Sequence, residues 1–331
     1  MKEFLRPDKI ENYSGFRARL GKIEVLKKHQ YYVTDQSVSG DAPKKFIKLY
    51  EYGNGVKRNP GKWPAFIAKT GHKWYPIETI TEYLLNRLGE ALGIRMSESK
   101  LAFGGSQIRF LSKYFLAADQ SLVHGAQIYA GYLGDDPEFV EQIEKSKLAK
   151  EWLTLQITQK ALIKFFPMYA DEILEDLVRM LLFDAWVGNN DRHFYNWGVI
   201  TDIKGRQKPC FSPVYDTARG LFWNYTEQKI VSLSKNSKEL DVQIKKYIAG
   251  SCPKIGWDNE VDINHIRLVE LIAKYNFGIK RETIHDLFSE ENLNNCKKLI
   301  HEEFHGLLSR ERIYVMNRCL ERRIEEIRKV F

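Results

Sequence analysis

Three polar side chains stand out for the chemistry they could do together: Asp191, Asn196 and Asp216. Asp191 opens the run Asp191-Arg192-His193-Phe194-Tyr195-Asn196, and Asp216 closes Pro213-Val214-Tyr215-Asp216. Between them lie two short β-like segments, Trp197 to Thr201 and Pro209 to Ser212, with Gly205 in the turn. A hairpin brings its two ends together, so Asn196 before it and Asp216 after it are expected to be neighbours. An amide oxygen beside a carboxylate suits Mg²⁺, which takes one or two protein oxygens and fills its octahedron with water and phosphate. Asn196 and Asp216 are therefore the candidate metal ligands.

Asp191 lies five residues before Asn196. This is the Asp-to-Asn spacing of protein-kinase catalytic loops, in which the Asp accepts the proton of the substrate hydroxyl. Taken singly, these are ordinary turn and cap residues. The joint pattern of helix, Asp-Arg-His-x-x-Asn, hairpin and Tyr-Asp carries the reading. Phosphoryl transfer also calls for a lysine on the nucleotide phosphates. Lys69 ends the strand-like run Ala65-Phe66-Ile67-Ala68-Lys69, and Glu78 and Glu82 on the next helix are candidates to position it.

The elements that must hold these residues follow from periodicity. Phe46 to Tyr50 reads as a strand, Asn54-Gly55 and Pro60-Gly61 punctuate a loop, and Trp63 to Lys69 reads as the returning strand. Ile77, Ile80, Leu84, Leu88 and Ala91 recur at helical spacing behind Pro76, and Gly93 stops that helix. Lys100 to Phe103 and Gln107 to Leu111 read as strands joined at Gly104-Gly105. The clearest helix runs from Asp171 to about Val187 and ends at Gly188-Asn189-Asn190. From Glu239 to Phe331 the period is helical, and the first 30 residues show no clear pattern. The expected fold class is α+β: a sheet-containing N-lobe over residues 1–116 and a larger, mostly helical C-lobe over 117–331, a two-lobed protein-kinase-like fold.

Composition sets bounds. The 331 residues are 44% hydrophobic and 28% charged, with no apolar run near the length of a membrane span. Met1-Lys2-Glu3-Phe4 lacks a signal-peptide pattern, so a cytoplasmic protein without membrane contact is expected. Cys210, Cys252, Cys296 and Cys319 have neither zinc-knuckle nor redox spacing and read as free thiols. The net charge of +8 suits a phosphate-rich ligand or an acidic partner without identifying either. Much of it lies in stretches such as Arg318 to Lys329, which read as a solvated helix face, so direct nucleic-acid binding is not expected.

On these residues the chain resembles the HipA-like serine/threonine kinase family over about 37–221. Ser37-Val38-Ser39-Gly40-Asp41-Ala42-Pro43-Lys44 is similar to the family's phosphate-binding loop, although Ala42 replaces a common glutamine. Phe66 to Lys69 resembles its ATP-lysine strand, Thr81-Glu82-Tyr83 its helix motif, Leu111 to Phe115 its adenine-binding hinge, and Asp191 to Asn196 with Tyr215-Asp216 its catalytic and metal motifs. The resemblance implies ATP and Mg²⁺ as cofactors, Asp191 as catalytic base, and Asn196 and Asp216 on the metal. It also implies Lys44 and Lys69 on phosphates with His193 near them, Ser39 and Gly40 in the phosphate loop, Glu82 beside Lys69, and Lys113 and Tyr114 at the adenine. Ser37 and Ser39 fall where family members autophosphorylate, which ejects the loop. Several members are toxins that phosphorylate aminoacyl-tRNA synthetases and are held by an antitoxin. A Ser/Thr protein substrate of that kind and an antitoxin partner are what the resemblance implies here. The length matches the compact branch that lacks an extra N-terminal subdomain.

Three rival readings remain at this stage. Asp-Arg-His-x-x-Asn also occurs in phosphatidylinositol kinases, but those usually carry Asp-Phe-Gly where this chain has Asp216-Thr217-Ala218. His301-Glu302-Glu303-Phe304-His305 matches the helical zinc-protease pattern, in which two histidines four apart share a metal. A pseudokinase or binding module is the third, although none of the core residues is missing.

Overall fold

The alternating apolar residues of the first lobe build one six-stranded sheet. In the computed structural model, which describes residues 3–21, 23–36, 43–53, 56–146 and 148–331, its strands are β1 (Glu24–Val25), β2 (Tyr31–Val33), β3 (Lys44–Leu49), β4 (Ala65–Lys69), β5 (Ser99–Gly104) and β6 (Gln107–Lys113). They lie in the order β1-β5-β6-β4-β3-β2, antiparallel except for β1 on β5. Asn54-Gly55, expected as part of the turn before β4, lies outside the described residues. The returning strand begins at Ala65 rather than Trp63, because Pro60–Lys62 forms a single 3₁₀ turn that Trp63 closes. The β3–β4 register places Lys44 directly opposite Lys69.

The sheet has two apolar faces, as the two-residue period of a strand requires. Ile47, Leu49, Phe66, Ala68, Ala102 and Leu111 face Leu5 and Leu26 of the N-terminal segment. Leu101, Ile108 and Phe110 point the other way, onto α1 (Ile77–Ala91). Ile77, Ile80, Leu84, Leu85 and Leu88 of α1 are fully buried and belong to the same cluster as the C-lobe helices. Gly93, with φ +70°, turns the chain out of this helix.

The chain then passes from the large sheet to a small one of β7 (Gln120–His124), β8 (Gly198–Asp202) and β9 (Cys210–Phe211), antiparallel in that order. The other elements are helices, α2 (Gly125–Leu133), α3 (Pro137–Lys145), α4 (Ala149–Trp152), α5 (Leu155–Phe165), α6 (Ala170–Val187), α7 (Glu227–Lys235), α8 (Ser237–Gly250), α9 (His265–Tyr275), α10 (Arg281–Leu287), α11 (Glu290–Phe304) and α12 (Arg310–Arg328), of which α2 packs on β7 and α6 on β9. Thr154, Thr226, Asn236, Asn264, Ser289 and Ser309 cap helix N-termini, each accepting a backbone N–H that has no partner inside its helix. The central α6 is buried along most of its length and ends at Gly188 in left-handed conformation. All four cysteines are free. Among the described residues no helix is long and apolar enough to cross a membrane.

Leu84 lies where α1 meets the C-lobe core. Truncating it to alanine is expected to cost about 2–5 kcal/mol of unfolding free energy, read from the urea midpoint at unchanged slope. A loss under about 1 kcal/mol would mean that the site collapses on itself and that α1 does not carry the packing between the lobes.

Candidate active site

Lys69 leaves the end of β4 with its side chain almost fully enclosed. Its Nζ donates to Glu82 Oε1 at 2.8 Å and to Asp216 Oδ1 at 2.9 Å. Lys44, opposite it in the ladder, reaches Asp216 Oδ2 at 3.4 Å. One carboxylate thus receives two lysines from neighbouring strands. Glu78 sits one helical turn before Glu82, but it accepts from the backbone N–H of His72 at 3.1 Å instead, so Glu82 is the α1 carboxylate that holds Lys69.

Burial disfavours charge on each member of this cluster, and pairing decides the outcome. Desolvation would strip the proton from Lys69, but Asp216 and then Glu82 more than offset it and hold its pKa above the ordinary lysine value. Desolvation would likewise neutralise Asp216, yet Lys69 and then Lys44 hold its carboxyl well below the usual range. Glu82 goes the other way: burial raises its pKa against the pull of Lys69.

Arg192, the residue after Asp191, is the anchor of the 191–196 loop. Its guanidinium donates to both carboxylate oxygens of Asp184 (2.8 and 3.0 Å), to the carbonyls of Asn196 (3.1 Å) and Tyr215 (2.7 Å), and to Thr217 Oγ1 (2.5 Å). Those five bonds tie α6, the 191–196 loop and the 215–217 segment into one unit. They explain how Asn196 and Asp216, on either side of the β8–β9 hairpin, come to line the same cavity. Asn196 Nδ2 donates to the carbonyl of Asp191 at 2.9 Å, which directs its amide oxygen away from that bond. Asp191 Oδ2 pairs with Arg219 Nε at 3.2 Å. His193 Nδ1 accepts from Tyr195 N at 3.3 Å.

These side chains line a cavity of about 860 Å³ between the lobes, a size suited to a nucleotide-sized ligand. Lys44, Lys69, Glu82, Asp191, His193, Asn196 and Asp216 all reach it, as do Lys113 and Tyr114. The backbone N–H groups of Lys113 and Tyr114 are already taken, by the carbonyls of Glu98 and Ala65 at 2.8 Å each. Ser37, Ser39 and Gly40 lie outside the described residues. The histidines of the zinc-protease pattern are not arranged for that role: His301 lies within α11, while His305 caps it in extended conformation. Glu303 is engaged by Arg87, and among the described residues no three His, Cys, Asp or Glu side chains converge on a common point as metal ligands.

The residues that sequence reasoning missed are Asp184, Arg219 and His265. Asp184 had a legible signal. It interrupts the apolar run Leu181-Leu182-Phe183-Asp184-Ala185-Trp186, and a carboxylate on a buried helical face needs a cationic partner. His265 and Arg219 had none, because only the fold brings them to the loop. His265 Nε2 donates to the carbonyl of Asn189 at 2.9 Å, just before Asp191.

Comparison with known proteins gives the family and the fold. The family model described as the HipA-like C-terminal domain matches residues 36–274, and the chain belongs to that family. Among solved structures it is similar to the Helicobacter pylori proinflammatory kinase CtkA, with a TM-score of 0.67 and 17% identity over 93% of this chain and 96% of that one. It is also similar to HipA of the Shewanella oneidensis MR-1 toxin–antitoxin system, solved with HipB and operator DNA. That match has a TM-score of 0.52 and 14% identity over 90% of this chain and 66% of that one. At such identities these likenesses establish the fold, a two-lobed kinase-like α+β architecture. No curated protein sequence matches the chain.

Burial, reinforced by Arg323, lowers the pKa of His265 to about 3, so the folded ring stays neutral. The unfolded ring takes up its proton near about 6.5. This contribution to stability is therefore present above that pH and is lost as pH falls toward 3. His265→Gln should lower the urea midpoint at neutral pH and flatten its decline between about pH 7.5 and 5. An unchanged pH slope would remove His265 from this account.

Proposed function

We propose that this HipA-like chain is an ATP-dependent protein kinase that moves the γ-phosphoryl group of ATP to a serine or threonine hydroxyl. The observation that carries the reading is the Lys69–Glu82–Asp216 cluster, set in the wall of the same cavity as Asp191 and Asn196. An ammonium and two carboxylates held at 2.8–2.9 Å are more than a stable fold needs, since such buried charges give little net stability. They are what a polyphosphate and its counter-ion need.

The donor set fits Mg²⁺. Asp216 offers a carboxylate kept ionised by its lysines, and Asn196 offers an amide oxygen while its Nδ2 is committed to the carbonyl of Asp191. Both are hard oxygen donors of the kind Mg²⁺ prefers. Bound there, Mg²⁺ supplies positive charge against the phosphate oxygens.

The remaining work falls to the chain. Lys69 and Lys44 exchange Asp216 for phosphate oxygens, with Glu82 keeping Lys69 in place. Ile67, Leu116 and Leu122 offer an apolar wall to the adenine. Because the N–H groups of Lys113 and Tyr114 serve the sheet, base recognition on that edge uses the groups that follow Tyr114. Asp191 takes the proton of the acceptor hydroxyl as its oxygen bonds to the γ-phosphorus, and the electron pair of the broken bond leaves with ADP. Arg192 holds Asp191, Asn196 and Asp216 in register through its five bonds and touches no reactant.

The family resemblance extends the reading to autophosphorylation on Ser37 or Ser39. The Shewanella relative, solved with HipB, supports a protein antitoxin as partner. A translation-related protein such as an aminoacyl-tRNA synthetase is the target class to try first.

With radiolabelled ATP, Mg²⁺ and cell lysate, label should appear on serine or threonine of a protein. Asp191→Asn should lower transfer by about 10²–10⁴-fold. Asp216→Asn should abolish it, with the far-UV circular dichroism unchanged in both. Wild-type transfer by a folded Asp216→Asn protein would sink the metal assignment, and label confined to lipid would turn the reading to a lipid kinase. Replacing Ser37 and Ser39 together by alanine should remove label from the peptide that carries them. A phosphopeptide map identical to wild type would exclude that loop as the self-acceptor.

A further inference from the structure

Lys44, Lys69, Lys113 and Arg219 all line the cavity, and three of these cations, Lys44, Lys69 and Arg219, are paired with Asp216 or Asp191. Lys44 and Lys69 are bound to Asp216, and Arg219 to Asp191. The kinase pattern accounts for the two lysines. It assigns nothing to Arg219.

The two arginines of the catalytic region differ in what they are free to do. Arg192 is buried and spends its guanidinium on five fixed hydrogen bonds, so it has nothing left for a ligand. The Arg219 side chain is 41% exposed, and its ion pair among the described residues is the one to Asp191, itself 27% exposed. A pair this open to water contributes little, so an incoming phosphate can displace it.

The surroundings allow the head group to move while the backbone stays. The carbonyl of Arg219 accepts from Asn190 N at 3.4 Å. Next to it, Gly220 packs so closely on the end of α6 that an added Cβ would come within 2.7 Å of the Val187 carbonyl. The guanidinium rests on the face of Trp223 at 5.5 Å, and Trp223 meets the ring of Trp74 edge-on. A flat cation on an indole face keeps its plane and its outward donors available.

We propose that Arg219 is a further catalytic residue, which pairs with Asp191 in this structure and moves its guanidinium onto the transferring phosphoryl group when that group enters the cavity. This rests on the kinase reading above. In the transfer, the acceptor oxygen bonds to the γ-phosphorus, its proton passes to Asp191, and the bond to the bridging oxygen breaks with its electron pair leaving on ADP. Arg219 forms no covalent bond. It supplies charge on the Asp191 side of the cavity, while Lys44 and Lys69 supply it on the Asp216 side. Releasing Asp191 from its ion pair also frees that carboxylate to accept the proton at the moment it is needed.

The test is binding and turnover in Arg219→Ala and Arg219→Gln. ADP with Mg²⁺ should bind both variants within about threefold of wild type, which also shows that they are folded. Their kcat should fall by about a hundredfold to a thousandfold with little change in the KM for ATP. Adding aluminium fluoride, which with ADP mimics the transferring group, should tighten ADP binding to the wild type and not to the variants. Arg219→Lys should recover part of kcat, because it restores the charge without the fork. Retention of wild-type kcat by the alanine variant, an equal aluminium fluoride effect in all forms, or a parallel loss of ADP affinity would each overturn the assignment. Wild-type protein that binds no ADP at all would overturn the kinase reading itself, and this inference with it.

Discussion

The architecture turns on one ammonium group. Lys69 is almost fully enclosed and is shared by Glu82 from α1 and Asp216 from the loop after β9. Three parts of the chain must meet for that to happen, and none can withdraw cheaply. An unpaired charge left in this environment costs several kcal/mol, whereas the intact cluster gives little net stability over apolar packing. The cluster is therefore better understood as a placing device. It fixes the sheet, the helix and the loop after β9 relative to one another, and it holds Asp216 in a left-handed backbone conformation at φ +56° that a non-glycine residue seldom adopts.

A second set of contacts performs the same service for Asp191. The last carbonyls of α6 have no partners within the helix. Arg323 from α12 takes that of Ala185 at 2.8 Å, Tyr247 from α8 takes that of Gly188 at 2.7 Å, and His265 from α9 takes that of Asn189 at 2.9 Å. Three helices from the final third of the chain thus hold the end of α6 and the approach to the 191–196 loop. Asp184 and Arg192 complete the arrangement from inside. The long helical tail, which contributes no side chain to the chemistry proposed here, is in this way part of the reason the loop has its shape.

Much of this was legible from local patterns. The apolar spacing of Ile77, Ile80, Leu84 and Leu88 marks α1, and Gly188 marks the end of α6 within a residue. The hairpin between Asn196 and Asp216 is readable from turn chemistry. The parts that were not legible depend on distant partners. β1 is two residues long and is defined only by pairing with Ala102 and Phe103. β7 has a mostly half-buried pattern without alternation, so its place beside β8 follows from topology alone. The N-terminal segment is held by Arg109, whose guanidinium reaches Asp8 at 2.6 Å and the Arg6 carbonyl at 2.7 Å from about a hundred residues away. No window short enough to show periodicity contains both ends of such a contact.

The same distinction separates the two kinds of charge in the cavity. Buried pairs such as Asp184–Arg192 are closed and have no further partner to take. The pairs that line the cavity each include a part-exposed carboxylate: Lys44 and Lys69 meet on Asp216, with Glu82 also on Lys69, and Arg219 meets Asp191. A part-exposed ion pair contributes little and can exchange its partner, which the closed Asp184–Arg192 pair cannot.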